Sequence, residues 1–335
     1  MDTKSNKRPC EEPLANKKRL VSKTIIYDES KPNQWLDDPP LEIWDHVIIP
    51  MLGLKDLALA RPVCTFFEAY WQDKFSNNVL PLRVGNDVAT IDDVMGVIEI
   101  LTSRREYTKL NPFVVLLGKG EHQIISSWTT LNPDYDEDEN EDNELVEIET
   151  TLGITRSNIT FIGEEKDTTT ILGGFRIYNV ENITFKNMIV TNTSHDGCGI
   201  DMRNAKVEFF DVALKGCRVY ALYINDSTSE TTVVATRCEF ADSQLGAYVE
   251  GSLSSAKFKN CEFHDNEFDG IQISGSIINL HGKDTAIYSN EQHGIRAHTS
   301  GKVLIHLPSH HNTCYNNGMQ DRNTFNGGTI TNVED

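Results

Sequence analysis

Three columns of residues recur through the second half of this chain at one shared spacing, and no other feature limits its fold so tightly. Small residues Gly199, Ala221, Gly246, Gly270 and Gly294 stand 22, 25, 24 and 24 apart. An apolar column runs Phe185, Phe210, Val234, Phe258, Leu280 and Leu304, at intervals of 25, 24, 24, 22 and 24. A second apolar column runs Val190, Leu214, Phe240, Phe263 and Ile287. Chance rarely holds three columns to one period, whereas a stacked repeat does so by necessity.

Inside each repeat the residues alternate, as in Gly270-Ile271-Gln272-Ile273, Gly246-Ala247-Tyr248-Val249 and Ala221-Leu222-Tyr223-Ile224. A period of two puts one face inward and one outward. No repeat carries two helical patterns, which excludes the helical solenoids. The fold class is therefore mostly β: a right-handed parallel β-helix, a single-stranded solenoid whose coils stack strand on strand. Asn158 and Asn182, each opening an Asn-Ile-Thr string, fit a turn ladder, because Asn tolerates turn geometry. The same strings match glycosylation sequons, a reading set aside for want of a secretory route. Cys238 and Cys261 share a column and read as stacked interior thiols.

Ahead of the coils, Ile91–Leu101 reads as an amphipathic helix able to cap the open end of the solenoid. Phe113–Leu117 reads as a buried strand and Asn158–Gly163 as another short strand with a turn. The expected organisation is a basic tail over 1–34, a short helical domain over 35–80, a linker and capping helix over 81–103, the β-helix over 104–320 with an acidic insertion at 132–150, and a tail over 321–335. Asp134 to Glu149 holds ten carboxylates and no Lys or Arg, a solvated insertion and not a site.

The net charge of -19 argues against a nucleic-acid partner, since a phosphate backbone demands a basic face. No stretch approaches the roughly 20 apolar residues that span a bilayer. The N-terminus has no apolar signal region. Seven scattered cysteines without a CxxC pair fit reduced thiols in an intracellular protein. Lys7-Arg8 and Lys17-Lys18-Arg19 can serve as a nuclear signal or be a plain basic tail, so a cytoplasmic or nuclear location is expected.

Pro40-Leu41-Glu42-Ile43-Trp44, the apolar stretch to Leu52, then Leu54-Lys55-Asp56-Leu57 and Val63-Cys64-Thr65-Phe66-Phe67 resemble an F-box. Pro39 stands where that motif usually has Leu. The resemblance implies docking on a Skp-type adaptor and, through it, a cullin–RING ubiquitin ligase. Pro40, Leu41, Ile43, Ile48, Leu52, Leu54, Leu57 and Val63 would form the contact set. The stretches Ile91–Leu101, Phe113–Gly120 and Ile159–Gly163, with the coils behind them, resemble the opening of pectin-lyase-like β-helices of the CASH type. F-box and β-helix together resemble eukaryotic substrate receptors. That implies a non-catalytic adaptor whose β-helix holds a protein client, with no cofactor.

The alternative is a polysaccharide-active pectin-lyase-like enzyme or a carbohydrate-binding β-helix protein. The strings that carry chemistry in such enzymes (Asn-Thr-Asp, Gly-x-Asp-Asp, Gly-His-Gly, Arg-Ile-Lys) do not occur. The nearest are Asn192-Thr193-Ser194, Gln292-His293-Gly294 and Arg176-Ile177-Tyr178. Asp196, Asp201 and Arg203 on one coil, and Asp265 and Asp269 on another, are expected as turn residues and solvated faces. His293, His298, His306, His310 and His311 are expected as surface histidines, because a metal site needs three or four converging ligands.

Overall fold

The computed structural model describes residues 81–102, 106–131, 145–148, 150–308 and 314–334. The adaptor-contact residues Pro40, Leu41, Ile43, Ile48, Leu52, Leu54, Leu57 and Val63 lie outside these, as do most of the acidic insertion, His310 and His311.

The described chain winds as a right-handed parallel solenoid of about 7 turns, with coils of about 24 residues. Two sheets face each other across a continuous apolar core. Sheet B has eight strands, from Thr151–Ile154 through Gly174–Tyr178, Ile200–Arg203, Tyr220–Ile224, Leu245–Glu250, Ile271–Ser274 and His293–His298 to Gln320–Thr324. Sheet A has 16 strands, because the chain crosses that side of each coil in two arms. The arms meet where Asn187, Asp211, Arg237 and Asn260 adopt positive φ, between 52 and 56°. Asn and Asp reach that left-handed conformation more readily than bulkier residues, which explains their recurrence at the corners.

The stacked columns fill the core. Phe161, Phe185, Phe209, Ala235, Phe258, Leu280 and Ile305 follow one another in register. Phe161 stacks on Phe185 at 5.2 Å and Phe185 on Phe209 at 5.6 Å. Here the sequence reading is off by one residue: Phe210, Val234 and Leu304 point outward, and Phe209, Ala235 and Ile305 point in. Adjacent apolar residues at each position make the pattern ambiguous, and a slip of one residue reverses every side chain. The column Val190, Leu214, Phe240, Phe263, Ile287 is as expected, with Phe240 and Phe263 rings 4.6 Å apart. Cys238 and Cys261 are buried neighbours on adjacent coils, and both are free thiols.

The small-residue column also holds, and it begins one coil earlier, at Gly174. Its cause is a buried ladder at the adjoining corner. Asn266 and Asn290 accept the backbone N–H of Ser243 (3.2 Å) and Asn266 (3.3 Å) on the preceding coil. Asn266 Nδ2 also donates to Asn290 Oδ1 at 2.8 Å, and Asn290 Nδ2 to Asn317 Oδ1 at 2.8 Å. A Cβ on Gly270 would lie 2.8 Å from Asn290 Nδ2, closer than side-chain atoms pack. Gly174, Gly246, Gly270 and Gly294 thus make room for the amides of Asn192, Asn266, Asn290 and Asn317, and Gly199 for the Ala221 carbonyl and Cys217 Sγ. At another corner Asn182 Nδ2 donates to Asn158 Oδ1 at 2.9 Å, the turn ladder expected from the sequence.

The helix runs Asp93–Thr102. Thr90 and Asp93 exchange hydrogen bonds in a capping box, with Thr90 N–H to Asp93 Oδ2 at 3.2 Å and Asp93 N–H to Thr90 Oγ1 at 3.3 Å. Its buried Val94, Val97 and Ile98 join the core beside Val115 and Leu117 of the strand Phe113–Leu117. The acidic insertion leaves the coil between the antiparallel strands Trp128–Leu131 and Leu145–Ile148. At the far end the coils run on past residue 320, since Thr329–Val333 pairs in register with Lys302–His306.

Candidate functional site

The two sheets carry different chemistry on their outer faces. On sheet B, strand alternation sends Phe175, Ile177, Ile200 and Met202 into the core and their neighbours out. One outward column then runs through seven strands in register: Arg176, Asp201, Tyr223, Tyr248, Gln272, Arg296 and Asn323. Every member offers a planar polar or phenolic group. At about 4.8 Å per strand the column is roughly 29 Å long.

At its N-terminal end, Arg176 Nη2 donates to the Tyr178 hydroxyl at 3.0 Å, and Tyr178 donates to Asp201 Oδ2 at 2.9 Å. Arg176 Nε lies 3.3 Å from the same oxygen. Burial pushes the Asp201 carboxyl above its ordinary range, against the pull of Arg176 and Tyr178. Burial, aided by Asp201, pushes the Tyr178 phenol up to about 12. Asp201 Oδ1 is enclosed and receives no hydrogen bond from the protein.

Tyrosines form the middle. Tyr223 and Tyr248 stack at 5.5 Å, and Tyr220 lies 5.0 Å from Tyr223. Tyr223 donates to Glu250 at 3.1 Å. Burial and then Glu250 push the Tyr248 phenol up to about 12.

The C-terminal end centres on Asp269, whose side chain is 1% exposed. Its Oδ1 accepts the His293 backbone N–H at 3.0 Å and His293 Nδ1–H at 2.9 Å. Asn323 Nδ2 donates to His293 Nε2 at 3.1 Å, which fixes the ring as the Nδ1–H tautomer. Arg296 lies over the Phe325 ring at 5.2 Å, and Gln272 reaches His298 at 3.2 Å.

The residues singled out from sequence divide accordingly. Asp196 pairs with His195 at the surface, Arg203 is exposed, and Asp265 occupies a positive-φ corner, all as solvated or turn residues. Asp201 and Asp269 depart from that expectation: both carboxylates are drawn into the sheet B face by neighbouring strands. His293 departs too, being buried against Asp269, while His306 lies on sheet A, 4.1 Å from His281. Sequence reasoning missed Arg176, Tyr178, Tyr223, Tyr248 and Arg296 as a group. Their common signal is the strand period, which places each in one outward column.

The family model described as "right handed beta helix region" matches residues 198–334. No curated protein matches the chain. Among solved structures it is similar to pectin methylesterase PemA from Erwinia chrysanthemi (12% identity, 75% of this chain and 80% of that one, TM-score 0.42). It is likewise similar to a pectin methylesterase in complex with a hexasaccharide (12%, 75% and 80%, TM-score 0.40). A third is ORF18 of Geobacillus virus E2 (10%, 82% and 64%, TM-score 0.41). The family model and the coil register together show the fold alone, a right-handed parallel β-helix. The expectation of a non-catalytic chain is withdrawn: two of these solved structures are pectin methylesterases, and those proteins are enzymes.

Proposed function

We propose that this is a polysaccharide-active β-helix protein that takes an extended sugar polymer along the outer face of sheet B. The observation that carries the reading is the single column Arg176, Asp201, Tyr223, Tyr248, Gln272, Arg296 and Asn323. A hydroxyl-rich chain needs repeated donors and acceptors, and its C–H faces suit aromatic neighbours with polar tips. Asp201, raised above its ordinary range by burial and held by Arg176 and Tyr178, is the acidic group near the N-terminal end of this column. Asp201 and Asp269 stand three strand spacings apart along the stack and three residues out of register, so at least about 14 Å. That is too far for the carboxyl pair of a glycosidase, at about 5–9.5 Å.

The test is retention of the full chain in gels containing pectin, de-esterified pectin, xylan or galactomannan, with assays for reducing ends, unsaturated products and released methanol. Retention by at least one polymer, weakened by Tyr223→Ala, is expected. Retention by none, with no product, would overturn the reading.

We also propose, on the motif from Pro40 to Phe67, that residues 35–80 dock a Skp-type adaptor. The docking is independent of what the coils bind. Leu54→Glu with Leu57→Glu should abolish adaptor co-purification and leave the thermal unfolding of the coils unchanged. Undiminished co-purification would sink it.

A further inference from the structure

We infer that the gap between Asp269 Oδ2 and Arg296 Nη1 is an anchor for two neighbouring hydroxyls of one neutral sugar residue. The inference rests on the polysaccharide reading of this face and names the chemistry of one position along it. Asp269 Oδ1 is occupied by the two His293 donors. Oδ2 is enclosed yet receives no hydrogen bond from the protein. The Arg296 guanidinium is 3.7 Å away, beyond hydrogen-bonding distance. A buried carboxylate oxygen without a donor is costly, so the site favours whatever supplies one.

Neither neighbour donates to Oδ2 in this structure. His293 is held between Asp269 and Asn323, with Nδ1 engaged by Asp269 Oδ1 and Nε2 by Asn323. Arg296 rests over Phe325 and stops 3.7 Å short of Oδ2. Its side chain is 36% exposed, so lifting the guanidinium opens the gap without disturbing the coil.

The two walls dictate the ligand. Oδ2 needs a donor, and Nη1 needs an acceptor a short distance off. A ligand carboxylate would satisfy Arg296 but face Asp269 with like charge. An ammonium would do the reverse. A pair of adjacent hydroxyls serves both walls, one donating to Oδ2 and the other accepting from Nη1, without net charge. That points to an uncharged, diol-bearing sugar at this position.

Asp269→Asn tests it. The amide keeps an oxygen for His293 and replaces Oδ2 with a group that cannot accept. The probe is galactomannan, intact or after periodate oxidation and borohydride reduction, which opens vicinal diols. Wild-type protein should be retained by the intact polymer and about tenfold more weakly by the oxidised one. Asp269→Asn should bind the intact polymer about tenfold more weakly and be indifferent to oxidation. Thermal unfolding checks the fold, and if that variant unfolds, Arg296→Gln reads the same loss from the exposed wall. Equal retention of variant and wild type would overturn the anchor and leave the polysaccharide reading standing. Retention of wild type by another polymer but not by galactomannan would overturn the neutral-diol assignment. Retention by no polymer in the wider panel would overturn both.

Discussion

The outer faces of sheets A and B are built from the same coils, yet they handle charge in opposite ways. Sheet A pairs its charges, exposed around Lys206 and Arg237 and half-buried around Glu239. Lys206 bridges Glu181 and Glu230 at 3.2 and 3.3 Å, and Arg237 pairs with Asp211. Lys166 and Lys215 converge on Glu239 at 3.2 and 3.5 Å. Sheet B draws Asp201 and Asp269 inward and surrounds them with Arg, Tyr and His. Exposed pairs contribute little to stability, whereas an enclosed carboxylate is costly unless its partners stay in place. A face that keeps such groups is organised for something other than solubility.

Removing one partner from each face should separate them most sharply. Arg176→Ala leaves Asp201 enclosed without its cation and should cost about 3–5 kcal/mol in urea unfolding. Lys206→Ala on sheet A should produce no measurable change. Equal effects would erase the distinction.

Binding gives the next contrast. Tyr223→Ala and Tyr248→Ala should each weaken polysaccharide retention on the order of tenfold, as central aromatic contacts commonly do. Lys257→Ala, outward on sheet A, should leave retention unchanged. A loss from the lysine variant and none from the tyrosines would move the site to the other sheet.

Acid and base should act on sheet A through one cluster. The Glu239 carboxylate, 3.7 Å from Nε2, and then Asp265 raise His264 to about 9 from an ordinary 6.5. The folded state thus binds the proton more tightly. That stabilisation is complete below pH 6.5 and fades as pH rises through about 9. Glu239 is lowered to about 2, first by His264. Its contribution is present above its ordinary 4.5 and fades as pH falls through about 2. His264→Gln should flatten the decline in melting temperature between pH 6.5 and 9 and leave polysaccharide retention unchanged; an unaltered decline would remove His264 as its source.

Much of this was legible in the sequence because a solenoid repeats its contacts. The glycine column, the Val190-to-Ile287 column and the Asn158–Asn182 ladder each leave a mark at one period. The site was far less legible. Its members come one per coil and share no residue type, so Arg176 and Tyr223 leave no motif. Burial of Asp201 depends on Arg176 and Tyr178, which are 25 and 23 residues away in sequence and adjacent in space. Asp269 shares this property through His293, a coil further on. Side-chain identity alone could not separate these two acids from Asp196 or Asp265.

The register slip at the apolar column offers the finest test. Val233 and Val234 are neighbours of one residue type, so only strand alternation decides which lies in the core. Val233 is 1% exposed and Val234 36%. Threonine keeps valine's shape and adds a hydroxyl, which is expensive where no partner meets it and harmless in water. Val233→Thr should therefore cost about 1–3 kcal/mol in urea unfolding. Val234→Thr, on the outer face of sheet A, should stay within about 0.5 kcal/mol. The reverse order would return Val234 to the interior. It would also turn Phe210 and Leu304 inward, since all three share one phase of the strand period.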